Sequence, residues 1–193
     1  MNLIDLKKYL NQLVSEISEG EDPETLKQLK QLILINKLNI DLDLVEVKET
    51  KRIGDNGVFA KTDITKGQLI TLYPVDTYEN LTDNQNNQDN QIEHYKNYIL
   101  KISLHNIISG NPNIYSSSYC GHMCNDGAKY IHSDDDDEND KRGSVYEKIS
   151  KLKQNADIVI LNEMVPCIIA TKNINSGDEI LLHYGVNRWK NMT

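Results

Sequence analysis

The chain has 193 residues, a formal net charge of −8, and 38% hydrophobic against 26% charged residues. That length allows one sizeable core with a small appendage, and its acidity argues against gripping nucleic acid phosphates, which needs a basic face. No apolar run reaches the length of a membrane span, so no membrane association is expected.

In chain order, residues 1–42 read as a helical hairpin. Leu3, Leu6, Leu10, Leu13, Val14 and Ile17 recur at helical steps, and Gly20 and Pro23 break the pattern. Leu26, Leu29, Leu32, Ile33 and Leu38 then form a second stripe. These stripes either dock on the main domain or pair with a second copy as a homodimer. The opening mixes apolar and charged residues and reads as neither a signal peptide nor an anchor.

From about Leu42 the period changes. "LVEVKE", "GVFAK", "LITLYP", "YILKISL", "IVILN", "VPCIIAT" and "EILLHY" are short, β-branched runs separated by turn residues, which predicts a mainly β domain. Two polar stretches interrupt it. "ENLTDNQNNQDNQIEHYKN" reads as a loop leading into a helical turn. Residues 131–154 read as an acidic insertion, a loop followed by a helix from about Ser144 to Gln154. Its "DDDDEND" run is either a solvated loop or a carboxylate lure beside a basic substrate.

The crowded "CGHMCNDG" raises the question of a metal. Cys120, His122 and Cys124 fit no common zinc-pair spacing, a second ligand pair is missing, and Cys167 has no partner beside it. No metal is expected, and three cysteines without a framework spacing fit a reducing intracellular setting, cytoplasmic or nuclear.

Three distant stretches resemble the SET domain of protein lysine methyltransferases. "GDNGVFAKTDITKGQLITLYP" is similar to its opening G-x-G-V-F-A and I-x-x-G-x-x-I-x-x-Y segment. "HMCNDG" stands where R-F-I-N-H-S usually stands. "ATKNINSGDEILLHYG" resembles A-x-x-D-I-x-x-G-E-E-L-x-x-x-Y-G. The resemblance covers residues 43–187 and leaves residues 188–193 as a tail without the cysteines of many histone methyltransferases. A compact form of this kind is compatible with a viral or bacterial protein acting in a host cell.

The resemblance implies a SET-type β-clip of several small sheets with a knot-like C-terminal crossing, preceded by the helical hairpin. It also implies transfer of a methyl group from S-adenosylmethionine to a lysine of a basic protein or peptide, histone tails included. Tyr184 takes the position of the catalytic tyrosine. Asn56, Gly57, Asn125, Asp126, Tyr184 and Trp189 take cofactor positions, although Asp126 replaces the usual histidine and Trp189 serves equally well as tail packing. Leu182 joins Tyr184 in the substrate channel, where some members carry Phe or Tyr. The alternative is a SET-like module that binds or scaffolds without catalysis.

Overall fold

The runs rich in Ile, Val and Leu become short strands in the computed structural model of the protein, gathered in several small sheets. The structure describes residues 8–9, 11–12, 42–50, 56–74, 76–80, 98–101, 106–113, 115–129, 136–161 and 165–187. Lys8, Tyr9, Asn11 and Gln12 are helical; the rest of the expected hairpin lies outside the described residues.

Strands β1 (Val45–Glu49) and β2 (Asn56–Ala60) pair antiparallel. The central sheet runs in the order β3 (Leu69–Leu72), β9 (Val165–Ala170), β8 (Ala156–Leu161), all antiparallel. A third sheet orders β4 (Thr77–Asn80), β6 (Asn106–Ser109) and β5 (Ile99–Lys101). The fourth joins two short strands in parallel, β7 (Asn125–Asp126) and β10 (Leu181–Leu182). Every residue of β9 is buried, which matches its unbroken apolar run. Val45, Val58, Ile64, Ile70, Ile168, Ile174 and Ile180 meet in one core, and each such side chain contributes about 1.5–3 kcal/mol by leaving water.

Two expectations need correction. Helix α1 spans Asp136–Lys153 and so begins well before Ser144. The acidic run lies partly in its first turns, where carboxylates favour the exposed N–H groups and positive end of the helix. Likewise Glu79 and Asn80 are not loop but the end of β4, because they align with Ile107 and Asn106 of β6.

An internal likeness organises the centre. Residues 60–70, "AKTDITKGQLI", and residues 170–180, "ATKNINSGDEI", share the pattern A-x-x-D/N-I-x-x-G-x-x-I. The two segments cross about an approximate two-fold axis. Ile64 and Ile174 exchange both backbone hydrogen bonds, at 2.8 and 2.9 Å. Gly67 N–H donates to Ala170 O and Gly177 N–H to Ala60 O, each at 2.8 Å. Lys66 N–H donates to Asn173 Oδ1 at 2.9 Å, and Ser176 N–H to Asp63 Oδ1 at 2.8 Å. Both glycines hold a positive φ, +84° and +88°, which only glycine adopts freely.

Candidate active site

Beyond the second of these turns the chain runs beside β2, with Ile180 N–H donating to Val58 O at 2.7 Å and Glu179 bridging Phe59. That placement sets the Glu179 carboxylate against Gly57 and Asn125. Asn125 Nδ2 donates to Glu179 Oε1 at 2.8 Å and to Asn56 O at 3.1 Å. A Cβ on Gly57 would sit 2.5 Å from Glu179 Oε1 and 2.8 Å from Asn125 Nδ2. Glycine is therefore what lets the strand approach the two side chains. With both amide hydrogens spent, the amide oxygen of Asn125 and the carboxylate of Glu179 remain as acceptors. Together they suit a cationic, hydrogen-donating ligand such as the ammonium of an amino acid head group.

Asp126 turns the other way and is 2% exposed. Its Oδ1 accepts from Ala128 N–H at 3.1 Å and from the Ser150 hydroxyl. Its Oδ2 accepts from Tyr184 N–H at 3.2 Å and from the Tyr146 hydroxyl. Each oxygen thus takes one backbone N–H and one hydroxyl. Tyr146 and Ser150 belong to α1, so a buried carboxylate with four donors ties the helix to the strand ends that carry Tyr184. His183 extends the tie: Nδ1 meets Ser150 Oγ at 2.9 Å, Nε2 meets Glu147 Oε2 at 3.0 Å, and its ring stacks on Tyr146. Hydrogen bonding from Lys151, chiefly, holds the Glu147 carboxyl below its ordinary pKa.

Tyr184 follows β10, whose parallel register sets Leu181 against Asn125 and Leu182 against Asp126. Its hydroxyl donates to Cys124 O at 2.5 Å, next to the Asn125 cluster. Tyr184 also lines a cavity of about 220 Å³. Leu100, Ile158 and Leu182 line it together with Tyr73, His122, Tyr184 and the exposed Asp157. Leu182 and Tyr184, the expected channel residues, do share this cavity. A larger hollow of about 560 Å³ lies against α1 between Ala128, Arg142 and Ile149; none of the expected site residues lines it.

Asn56, Gly57 and Asn125 are brought together around Glu179, whereas the Asp126 side chain is committed to α1 and Tyr184. Trp189 lies outside the described residues. Cys120 and Cys124 are buried; desolvation first pushes both thiols up, Cys120 to about 11. Among the described residues no group of three potential ligands is placed to hold a metal.

Reasoning from sequence missed Glu179, Tyr73 and the place of His122. Glu179 stood in the quoted Gly-Asp-Glu-Ile and Tyr73 ended the first motif, so both were within reach. Tyr146 and Ser150 carry no sequence signal; only the packing of α1 reveals them.

The described residues form several small β sheets, with the Gly57, Asn125 and Glu179 cluster and a cavity that Tyr184 helps to line. The chain belongs to the SET-domain family, whose model matches residues 55–185. Members of this family are in general protein lysine methyltransferases that use S-adenosylmethionine. No curated protein matches the chain.

Proposed function

We propose that the protein is an S-adenosylmethionine-dependent protein lysine N-methyltransferase acting on a basic protein such as a histone. The observation that carries this reading is the position of Tyr184. The residue lines the 220 Å³ cavity and its hydroxyl reaches Cys124 O, beside the Asn125 and Glu179 cluster. A side chain entering the cavity therefore ends near a ligand held by that cluster.

The residues fit the cofactor. Asn125 and Glu179 offer acceptors for its ammonium, and Gly57 lets the two side chains come together. When bound, it supplies an electrophilic methyl group on a sulfonium. The knot-like crossing expected from sequence fits the parallel pairing of β7 and β10.

The protein's own work is selection and alignment. Lysine titrates near ~10.4 in water, so its amine must lose a proton before it acts as a nucleophile. Burial between Leu100, Ile158 and Leu182 disfavours the charged amine, as does a neighbouring cation. The Tyr184 hydroxyl orients the amine without competing as a nucleophile. Holding the amine in one orientation would replace a bimolecular search, a gain of up to about 7–11 kcal/mol in well-aligned systems. The net charge of −8 favours encounter with a basic substrate.

The test is transfer of labelled methyl from S-adenosylmethionine to histones and lysine-rich peptides, located by mass spectrometry. Methylated lysine is expected. Cofactor binding without transfer to any such substrate would leave the scaffold reading in its place.

A further inference from the structure

Strand β10 ends at Leu182, and side chains hold the backbone that follows. Tyr184 N–H donates to Asp126 Oδ2 at 3.2 Å, Gly185 N–H to the Tyr146 hydroxyl at 3.1 Å, and Val186 N–H to Glu147 Oε1 at 3.3 Å. Gly185 turns the chain there with a φ of +82°. His183, just before Tyr184, joins two of these three holders. Its Nε2 lies 3.0 Å from Glu147 Oε2, and its Nδ1 lies 2.9 Å from Ser150 Oγ, which donates to Asp126 Oδ1.

Counting hydrogens fixes the ring. The Ser150 hydroxyl has one hydrogen and Asp126 takes it, so Oγ meets Nδ1 as an acceptor. The Glu147 carboxylate, which Lys151 helps to keep ionised, likewise only accepts. Acceptors therefore face both ring nitrogens, and only an imidazolium has a hydrogen for each. Charge surrounds the ring unevenly. Glu147 and Lys151 approach from α1, with Lys151 Nζ 3.0 Å from the same Oε2, and Asp126 acts from β7 through Ser150. Tyr146 stacks on the ring at 5.8 Å, and Asp157, His122 and Tyr73 line the cavity that His183 shares.

Losing one hydrogen breaks this chain at a definite place. With Nε2 bare, the ring and the Glu147 carboxylate would meet lone pair to lone pair. With Nδ1 bare, one Ser150 hydrogen would have to serve both Nδ1 and Asp126 Oδ1. Serving Nδ1 takes a donor from the buried carboxylate that holds the Tyr184 N–H.

We propose that His183 is a positioning residue for Tyr184, held as an imidazolium whose Nδ1–H keeps the Ser150 hydroxyl on Asp126 and so keeps Asp126 on the Tyr184 N–H. Its effect on turnover rests on the methyltransferase reading, whereas the proton-linked placement of Tyr184 does not. The sign follows from the count: the arrangement is complete while His183 is protonated and is lost as pH rises through its titration.

The test is proton–nitrogen NMR of the full chain over a pH series, reading the His183 ring nitrogens and the Tyr184 backbone amide together. Both ring nitrogens should carry hydrogen at neutral pH, and the Tyr184 amide should shift with the same midpoint as the ring. Two uncharged variants separate this role from plain support. In His183→Asn the amide NH₂ falls near the place of Nδ1 and still donates to Ser150, but the Glu147 contact is lost. In His183→Gln the NH₂ falls near the place of Nε2, which keeps Glu147 and leaves Ser150 without that donor. At saturating peptide and cofactor, turnover should fall about tenfold or more in His183→Gln, the scale of one hydrogen bond from a charged group. It should stay within about threefold in His183→Asn, with the Michaelis constant for the peptide little changed in either. The ratio of wild-type to His183→Asn turnover cancels the substrate amine's own titration and should fall as pH rises.

A bare ring nitrogen at neutral pH, a Tyr184 amide that ignores the ring's titration, or the reverse ranking of the variants overturns the proposal. If neither variant folds, the wild-type titration decides alone. Linked titration in a protein that transfers no methyl group would remove the methyltransferase reading and keep the placement of Tyr184. Methyl transfer with an unlinked Tyr184 amide would remove only this inference.

Discussion

Residues 60–70 and 170–180 are built alike and lead to different ends. Each makes the same turn around a positive-φ glycine, and each donates to and accepts from the other across the Ile64–Ile174 bridge. After the first turn the chain enters β3, pairs with β9, and delivers Tyr73 to the cavity. After the second it passes Gly57, pairs in parallel with β7, and delivers Tyr184 to the same cavity. The hydroxyls then part company. That of Tyr73 donates to Tyr98 O at 2.5 Å, whereas that of Tyr184 reaches Cys124 O beside the Asn125 and Glu179 cluster. One local design therefore leads to a wall residue in one case and to the proposed catalytic tyrosine in the other. The strand each turn feeds, rather than the turn itself, decides the role.

The two tyrosines give the largest expected contrast. Tyr184→Phe removes one oxygen and no ring volume, and should cut turnover by about 10²-fold or more, the scale for a well-placed catalytic contact. Tyr73→Phe should cost less than about tenfold, since its hydroxyl serves a backbone carbonyl in the wall. Labelled methyl transfer measures both, and equal losses would erase the distinction.

Asp126 anchors only the second continuation. In Asp126→Asn, one of the two positions that each accept a backbone N–H becomes an NH₂ donor. Unfolding free energy should fall by about 2–3 kcal/mol, read from urea denaturation. A wild-type midpoint would mean the carboxylate does not hold α1 to Tyr184.

Asn125→Ala comes next. It removes the amide that faces Glu179, and affinity for S-adenosylmethionine by calorimetry should drop roughly tenfold. The turns themselves should respond alike. Gly67→Ala and Gly177→Ala each meet open space but a positive φ, so both should lose about 1 kcal/mol with little change in turnover. A clear inequality would break the symmetry of the two turns.

The weakest handle lies outside both turns. Replacing the aspartates at 134–137 by asparagine should raise the Michaelis constant for basic peptides by about twofold at low salt, an effect that vanishes as the screening length shrinks. The same constant in both proteins at low salt would leave the run as a solvated insert and nothing more.

The sequence made the strands with strong β-branched runs legible, because alternation and burial leave a mark at each position. It hid β4, β6 and β7, whose residues are short or polar and become strands only through a partner. The start of α1 was hidden because a carboxylate run reads as solvated loop until a helix end is there to use it. At the site, Gly57, Asn125 and Tyr184 were visible as a pattern. Glu179 was not, since its role comes from the crossing that carries it to Gly57. The Asp126 substitution was read as a departure from the family, and its physical meaning needed Tyr146 and Ser150 beside it.

The three sulfurs passed over as metal ligands have a use of another kind. Cys120, Cys124 and Cys167 are at most 1% exposed, and burial pushes the Cys167 thiol up to about 12. Only a thiolate attacks an alkylating reagent, so in the closed protein all three are chemically silent. Any labelling at neutral pH then counts excursions in which the centre of the molecule opens. A ligand that binds only the closed form slows that clock by a factor of one plus its concentration over Kd. The chain thus carries its own reporter of occupancy, needing neither a dye nor a substrate.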